Sequence, residues 1–244
     1  MRVTRVHVDR LLAIGDKFML PDEAAAHLVR VLRQQPGDTC TLFNGDGHDY
    51  QARLLAVDKR GAEAEVVGVH AVDTESPLRI VLLQGIARGD KMDWILQKAT
   101  ELGVAAFVPV ESERSEVRLD AIRAGKRLAH WRSVVASACG QGGRACVPAI
   151  QAPQALGAAL ALLVEAVPRF LLDPAATDSI TTLATLDQGC VLAVGPEGGW
   201  SARDREQLHA AGFNGLRLGP RVLRTETAGI AAIAALQARF GDLA

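Results

Sequence analysis

The sequence lacks an excess of either charge. Its 27 Lys and Arg residues stand against 28 Asp and Glu residues, which gives a formal net charge of −1 over 244 positions. A nearly neutral chain has no overall attraction for nucleic acid, so any such contact must come from local basic patches. Hydrophobic residues make up 49% of the chain and charged residues 23%, which is typical of a globular protein and excludes a disordered one.

Paired cysteines and long apolar runs are also missing. Cysteines stand at positions 40, 139, 146 and 190, and none forms a CxxC pair or lies at zinc-ligand spacing from a histidine. This pattern predicts neither a disulfide framework nor a metal site. The first residues, MRVTRVHVDR, lack the apolar core of a secretion signal, and no run of about 18 apolar residues occurs. These absences predict a cytoplasmic protein with reduced cysteines.

Length and residue pattern together predict two domains. At about 150 residues per domain, a chain of 244 residues suits one large domain or two modest ones, and the residue pattern favours two. Residues 1–72 hold short apolar or alternating segments divided by turns, with one helix at 22–33, and we predict a β-rich, barrel-like module there. The polar stretch AVDTESP, which ends at Pro77, is the predicted linker to a second domain over residues 78–244.

The second domain alternates helices with strands that are apolar throughout. We predict strands at residues 80–86, 104–110, 169–173, 191–194 and 216–218, and helices at 91–103, 120–138, 154–164, from 201 onward, and at 227–240. Ser201 is the predicted N-cap of the fourth helix, with Asp204 three residues later. Because buried strands that alternate with helices are typical of a parallel sheet covered on both faces, we predict an α/β domain.

Two of these strands run into glycine-proline loops. The first Gly-Pro loop is Gly195–Gly199, and the second is Gly219–Thr227, which holds two arginines, a glutamate and two threonines within seven residues. The first loop alone is more typical of a tight turn between strand and helix. Ligands of open α/β sheets bind beyond the carboxyl ends of the strands, and glycines let a ligand approach the backbone closely. Two such loops together therefore predict a shared small-ligand pocket.

Several motifs that would assign this pocket to another ligand are absent. No GxxxxGK[ST] sequence occurs, which excludes a P-loop phosphate site. The loose dinucleotide match from Gly140 to Ala145 follows a predicted helix rather than a strand. None of the six histidines lies in a recognisable nucleophile motif, although Ser/His/Asp or Cys/His catalysis stays open.

Basic residues concentrate in residues 113–133. This segment carries six cations against three acids, and the cations are Arg114, Arg118, Arg123, Lys126, Arg127 and Arg132. A stripe of apolar residues at helical spacing, from Ile122 to Val135, predicts that the cations take the opposite face. Arg30 and Arg33, spaced i and i+3 on one helical face, are a second basic pair. Each group is either a phosphate-binding patch or ordinary solvated surface.

Stretches along nearly the whole chain match a known family. They are HLVRVLRQQPGD at 27–38, QKATELGV at 97–104, ERS at 113–115, the run from Gln141 to Pro148, GPEGG at 195–199 and LGPRVLRTETA at 218–228. In these stretches the chain resembles the RsmE family of SPOUT RNA methyltransferases. The last two motifs are highly specific in combination, whereas Gly140, Gly142 and Asp204 depart from the family pattern.

The resemblance implies a fold, a cofactor and a substrate. It implies a PUA-like RNA-binding β-barrel at 1–72, an α/β SPOUT domain with a deep trefoil knot at 78–244, and a homodimer. The implied reaction is methylation by S-adenosylmethionine of N3 of one uridine, U1498, in 16S ribosomal RNA of the small subunit. The implied cofactor residues are Leu172, Gly195, Pro196, Glu197, Gly198, Gly199, Leu218, Gly219, Arg221, Val222, Leu223 and Arg224. The candidate RNA contacts are Arg30, Arg33, Lys98, Arg114, Arg118 and Arg123.

The chemistry implied by this family gives four residues a candidate catalytic role. Uracil N3 carries a proton and is a poor nucleophile until that proton is lost. A guanidinium beside the ring lowers the pKa of N3, and Arg224 is the first choice for this role, with Arg5 and Arg144 as helpers from another subunit. Glu226 is the alternative, as the acceptor of the proton.

Three other functions stay open from the sequence. One is a SPOUT enzyme that methylates a ribose 2′-hydroxyl of transfer RNA. Another is a non-catalytic RNA-binding or assembly protein, which the presence of Arg224, Glu226 and the complete first Gly-Pro loop disfavours. The third is a nucleotide-binding hydrolase, which the missing P-loop and metal-ligand spacing disfavour.

Overall fold

The computed structural model describes residues 4–58, 61–117, 120–163 and 166–243. They form two compact units: unit 1 comprises the chain up to Glu75 together with Ala136–Val147, and unit 2 comprises Ser76–Val135 and Pro148 onward. The predicted domain limits, 1–72 and 78–244, do not anticipate that residues 136–147 join unit 1. Sequence periodicity places these residues on a helix but carries no information about which distant segment that helix packs against.

Unit 1 is built on a five-stranded sheet. Its strands are β1 (Arg5–His7), β2 (Lys17–Met19), β3 (Thr39–Phe43), β4 (His48–Asp58) and β5 (Gly61–Ala71). They follow the order β1-β3-β4-β5-β2, with β1 parallel to β3 and the other pairs antiparallel. Alternate residues of β4 and β5, such as Leu54 and Val66, are buried in an apolar core, as a half-buried sheet requires. The predicted β-rich fold of this part of the chain is confirmed.

The helix of unit 1 is shorter than the sequence predicts. Helix α1 spans Asp22–Ala26, a π-helical turn follows at His27–Val31, and Arg33 adopts a left-handed φ of 56°. The left-handed residue ends the helix, as is usual at helix C-termini. The expectation that Arg30 and Arg33 share one helical face is therefore wrong, because only Arg30 lies on the helical turn.

Unit 2 is built on a parallel sheet. Its strands are β6 (Ile80–Gly85), β7 (Ala106–Glu111), β8 (Ala149–Ile150), β9 (Gln154–Ala155), β10 (Arg169–Leu172), β11 (Cys190–Val194) and β12 (Phe213–Leu216). Their order is β12-β10-β11-β6-β7-β8, and β9 also pairs with β7. Every described pair is parallel, and β6 and β11 are buried along their whole length. The predicted α/β class is confirmed.

Five α-helices accompany this sheet in the described part of unit 2. They are α2 (Asp90–Glu101), α3 (Ala121–Gly142), α4 (Leu156–Ala161), α5 (Ala202–Ala210) and α6 (Thr225–Phe240), of which α3 ends in unit 1. Helix α5 begins as predicted, because Ser201 accepts from the amide of Asp204 and the Asp204 carboxylate accepts from the amide of Ser201. No helix among the described residues is long and apolar enough to cross a membrane.

Several details of unit 2 depart from the predictions. Helix α6 begins at Thr225 rather than at 227, so Glu226 lies on the helix, and α3 extends to Gly142 rather than to 138. Helix α4 is shorter than 154–164, because residues 154 and 155 instead pair with β7 as β9. Strand β12 begins and ends earlier than the predicted 216–218, since its Phe213 lies opposite Arg169 of β10. Ile122 does not belong to the apolar stripe of α3, because its side chain is 74% exposed, whereas Trp131 is buried.

Candidate functional site

The carboxyl ends of three neighbouring strands of unit 2 surround a cavity of about 390 Å³. Strands β12, β10 and β11 are adjacent and parallel, so the segments that follow them meet at one edge of the sheet. These segments include both Gly-Pro loops and the residues after Leu172. The loops predicted to share a pocket do line one cavity.

The structure places all but one of the predicted cofactor residues around this cavity. The predicted residues that line it are Leu172, Gly195, Pro196, Glu197, Gly199, Leu218, Gly219, Arg221, Val222, Leu223 and Arg224, and Glu226 lines it as well. Gly198 does not line it. A Cβ at Gly198 would lie 3.1 Å from Cβ of Arg114, whose guanidinium donates to the Gly198 carbonyl at 3.2 Å. Gly198 therefore packs against the segment that follows β7.

The first Gly-Pro loop folds back tightly over the end of β6. A Cβ added at Gly85 would lie 2.5 Å from Cδ of Pro196, and a Cβ at Gly195 would lie 3.2 Å from Cα of Gly199. Gly199 has a positive φ of 64°, and its amide donates to the Pro196 carbonyl at 2.8 Å. A side chain at Gly85 or Gly195 would displace the turn, and one at Gly199 would strain its backbone, so the glycines permit this compact turn.

Glu197 places a negative charge on the cavity wall. Its carboxylate accepts from the amide of Arg88 and from Nζ of Lys91, both at 3.1 Å. Partial burial raises the pKa of Glu197, but hydrogen bonds from its own backbone amide, from the Arg88 amide and from Lys91 outweigh it, and the pKa is lowered. The carboxylate is therefore ionised at neutral pH, beside the cation of Lys91, which also lines the cavity.

The second Gly-Pro loop brings a cation and a carboxylate to the cavity. Gly219 has a φ of 94°, and Arg224 is the exposed N-cap residue of α6. The Arg224 guanidinium has no hydrogen-bond or ion-pair partner within the described ranges. Glu226 is half-buried, and its Oε2 is buried with no hydrogen-bond partner among those same residues. A free guanidinium and an unused carboxylate oxygen thus lie within the first turn of one helix.

The sequence prediction missed several residues of the cavity wall. Asp173 and Arg205 form an ion pair there, and Trp200 and Thr225 also line the cavity. Asp173 directly follows the apolar strand β10, so the rule that functional residues follow strand ends was a usable signal for it. No local sequence signal marks Arg205, which lies in the first turn of α5.

Arg5 and Arg144, the predicted catalytic helpers, lie in unit 1 and are held by carboxylates. Arg5 forms an ion pair with Asp49 and donates to the Arg144 carbonyl at 2.8 Å. Arg144 is 4% exposed and contacts both carboxylate oxygens of Glu75. These ion pairs orient both guanidinium groups and occupy much of their donor capacity.

The glycine at position 140 has a structural explanation in unit 1. Gly140 lies on α3, and a Cβ there would stand 3.3 Å from the carbonyl oxygen of Arg5. The departure from the family pattern therefore coincides with a close approach of two backbones. Gly142, also on α3, has open space around it.

Two of the predicted RNA contacts are paired with neighbouring acids. Lys98 pairs with Glu101 at 2.9 Å, and Arg123 pairs with Asp120 at 3.4 Å. Arg30 and Arg33 are exposed in unit 1, and Arg118 lies outside the described residues. Their contact with RNA stays a prediction. Among the residues that the structure describes, no group of three or more His, Cys, Asp or Glu side chains is placed to hold a metal ion.

Comparison with protein families defines the class of the chain. A model described as RNA methyltransferase PUA domain matches residues 20–67, and a model described as RNA methyltransferase domain matches residues 74–237. The first match falls on the sheet of unit 1, and the second includes the parallel sheet and both Gly-Pro loops. The fold is thus that of an RNA methyltransferase, with a PUA-like domain followed by a SPOUT domain.

Individual relatives narrow the class to one family. The ribosomal RNA small subunit methyltransferase E of Buchnera aphidicola (subspecies Schizaphis graminum) is 33% identical over 99% of this chain and 98% of its own length. The enzyme of that name from Neisseria gonorrhoeae, solved bound to S-adenosyl methionine, is 41% identical with a TM-score of 0.91 over 100% of both chains. A Legionella pneumophila methyltransferase solved with the cofactor SAM is 36% identical with a TM-score of 0.94, again over 100% of both chains. The chain belongs to the ribosomal RNA small subunit methyltransferase E family.

Proposed function

We propose that the protein transfers a methyl group from S-adenosylmethionine to N3 of a uridine, U1498, in 16S ribosomal RNA of the small subunit. The observation that carries the proposal is the cavity of about 390 Å³ formed by both Gly-Pro loops, with Arg224 and Glu226 on its wall. Because the proposed substrate is ribosomal RNA, we place the reaction in the cytoplasm. In line with the family resemblance, we propose that the protein acts as a homodimer with a knotted catalytic domain.

The cavity suits S-adenosylmethionine because of its wall. The backbone of the two loops and the side chains of Leu172, Val194 and Leu218 offer a mainly apolar surface to an adenine ring and a ribose. The missing Cβ atom at Gly199, which lines the cavity and where a Cβ would stand in open space, lets the ligand approach the backbone. The two neighbours from Neisseria gonorrhoeae and Legionella pneumophila were solved with this cofactor, which supports the assignment. When bound, S-adenosylmethionine supplies a methyl group on a positively charged sulfur.

Arg224 and Glu226 have different roles in the removal of the proton from uracil N3. The Arg224 guanidinium, which has no partner among the described residues, lowers the pKa of N3 by stabilising the uracil anion. The carboxylate of Glu226, which lines the cavity, accepts the N3 proton. Arg5 and Arg144 act as helpers from the second copy of the homodimer, and their ion pairs with Asp49 and Glu75 fix their orientation.

Two experiments test the proposal. Calorimetry is expected to show that the purified protein binds S-adenosylmethionine. If it shows no binding, either with RNA or without it, the cofactor assignment is wrong. Mass mapping of 16S ribosomal RNA from a strain that lacks the protein is expected to show one uridine without its N3 methyl group. Loss of a ribose 2′-O-methyl group instead would keep the enzyme class and overturn the target atom.

A further inference from the structure

Gln84 is a polar side chain buried at the end of an apolar strand. It is 0% exposed and lies on β6, between β11 and β7. A buried amide costs free energy unless it is hydrogen-bonded. Its Nε2 donates to the Gly85 carbonyl at 2.9 Å and to Oγ1 of Thr225 at 3.2 Å. The second of these bonds joins the centre of the sheet to the first residue of α6.

Thr225 continues this contact to the first Gly-Pro loop. Its hydroxyl group donates to the carbonyl of Gly195, the first residue of that loop. A hydroxyl group has one proton to donate, so its other bond must be accepted from Gln84. The direction is fixed: Gln84 donates to Thr225, and Thr225 donates to Gly195. We call this chain of two hydrogen bonds the Gln84–Thr225–Gly195 bridge.

The surroundings of the bridge are closely packed. A Cβ at Gly229, one turn after Thr225 on α6, would lie 3.6 Å from Cγ2 of Val194 and 3.8 Å from Oε1 of Gln84. A Cβ at Gly85 would overlap Pro196. A Cβ would therefore make ordinary contacts at Gly229 but has no room at Gly85. Helix α6 is in contact distance of this strand end and the first Gly-Pro loop is packed tightly against it, so a lost hydrogen bond shifts packed neighbours.

We propose that Gln84 and Thr225 are positioning residues, whose bridge holds the first turn of α6 in register with the first Gly-Pro loop. Thr225 stands between Arg224 and Glu226 in sequence, so a shift of that turn moves both groups relative to the cavity. Gln84 itself does not line the cavity and acts through Thr225. The inference rests on the proposed function, because the reaction is what the positioned residues serve.

Near-isosteric variants separate positioning from simple stability. Thr225→Val removes both hydrogen bonds of the bridge, and Gln84→Met removes the one between Gln84 and Thr225. Both changes alter the side-chain volume little, whereas Thr225→Ser keeps the hydroxyl group. Thr100→Val is the matched control, because Thr100 is a buried helix threonine whose hydroxyl bonds the Leu96 carbonyl away from the loops. The measurements are kcat, KM for RNA, Kd for S-adenosylmethionine, Tm, and hydrogen exchange of the Ala228 amide, which closes the first turn of α6 by donating to the Arg224 carbonyl at 2.8 Å.

A shift of a reacting group by about 1 Å costs on the order of a hundredfold in rate. We therefore expect Thr225→Val and Gln84→Met to lower kcat by about ten- to a hundredfold. KM for RNA should change by a much smaller factor, and Tm should change little. Thr225→Ser is expected to retain most of the activity, and Thr100→Val to leave kcat unchanged whatever it does to Tm. The double variant should be about as slow as Thr225→Val alone, because both changes break one bridge.

The exchange measurement needs no activity. Faster exchange in the first turn of α6 in Thr225→Val and Gln84→Met, but not in Thr100→Val, supports the bridge in the free protein. Wild-type exchange and wild-type kcat in Thr225→Val, or equal losses in Thr225→Ser and Thr225→Val, would overturn it. A wild-type protein that transfers no methyl group refutes the proposed function instead, and the exchange result still decides whether the bridge exists.

Discussion

Replacement of Arg224 by alanine removes the cation that we propose stabilises the uracil anion. The residue is the N-cap of α6 and lines the cavity. It has no ion-pair partner within the described ranges, so its removal leaves no carboxylate uncompensated. The helix start relies on no side-chain cap from Arg224. Arg224→Ala is therefore expected to change the chemistry while leaving the fold intact.

The magnitude follows from the charge. An opposite charge beside an acid lowers its pKa by about 1–3 units, and each unit is a tenfold change in the ionised fraction, or about 1.4 kcal/mol. Arg224 is exposed, and solvent weakens its field, so we expect the lower part of this range. At neutral pH, kcat of Arg224→Ala should fall about ten- to a hundredfold.

The pH dependence of methyl transfer provides the assay. The rate of both proteins should rise with pH as N3 loses its proton, and the profile of Arg224→Ala should lie about 1–2 units higher. The two rates should converge at high pH, where the anion forms without help. Arg217→Ala is the matched control, because Arg217 is exposed, lies shortly before the second Gly-Pro loop and does not line the cavity. If Arg224→Ala keeps the wild-type kcat and pH profile, the assigned role is refuted.

Other predictions concern the loop geometry and the helix cap. Gly85→Ala places a Cβ 2.5 Å from Cδ of Pro196, so it should destabilise the protein by about 1–3 kcal/mol in urea unfolding and weaken S-adenosylmethionine binding in calorimetry. Glu197→Gln should be less stable than wild type at neutral pH. Because the pKa of Glu197 is lowered by folding, that difference should vanish as pH falls through the folded-state pKa. Ser201→Ala removes the N-cap of α5 and should cost about 1 kcal/mol in urea unfolding, with kcat little changed.

Each of these predictions has an outcome that contradicts it. Gly125 on α3 has open space around its Cβ position, so Gly125→Ala should raise the free energy of unfolding by about 0.5–1 kcal/mol. If Gly85→Ala raised it equally, no steric overlap with Pro196 would exist. If the stability difference between wild type and Glu197→Gln increased as the pH falls, the pKa of Glu197 would not be lowered by folding. Ser201→Ala with wild-type stability would show that the cap contributes nothing to folding.

The sequence by itself determined the elements whose signals are local. Apolar strands alternating with helices encode a parallel sheet, because a strand buried on both faces needs apolar residues at every position. The glycines of the two Gly-Pro loops and the Ser201–Asp204 capping box also act within a few residues of themselves. The sequence alone therefore predicts that the two loops form one pocket, since parallel strands end at one edge of the sheet.

The tertiary structure decided everything that depends on residues distant in the chain. It turned Gly198 away from the cavity toward Arg114, added the Asp173–Arg205 ion pair to the wall, and placed residues 136–147 in unit 1. Gln84 reads in the sequence as one polar residue in an apolar strand, and only packing brings it to Thr225, 141 positions away. Periodicity records which face a side chain takes, whereas the neighbour on that face is chosen by the packing of the whole unit.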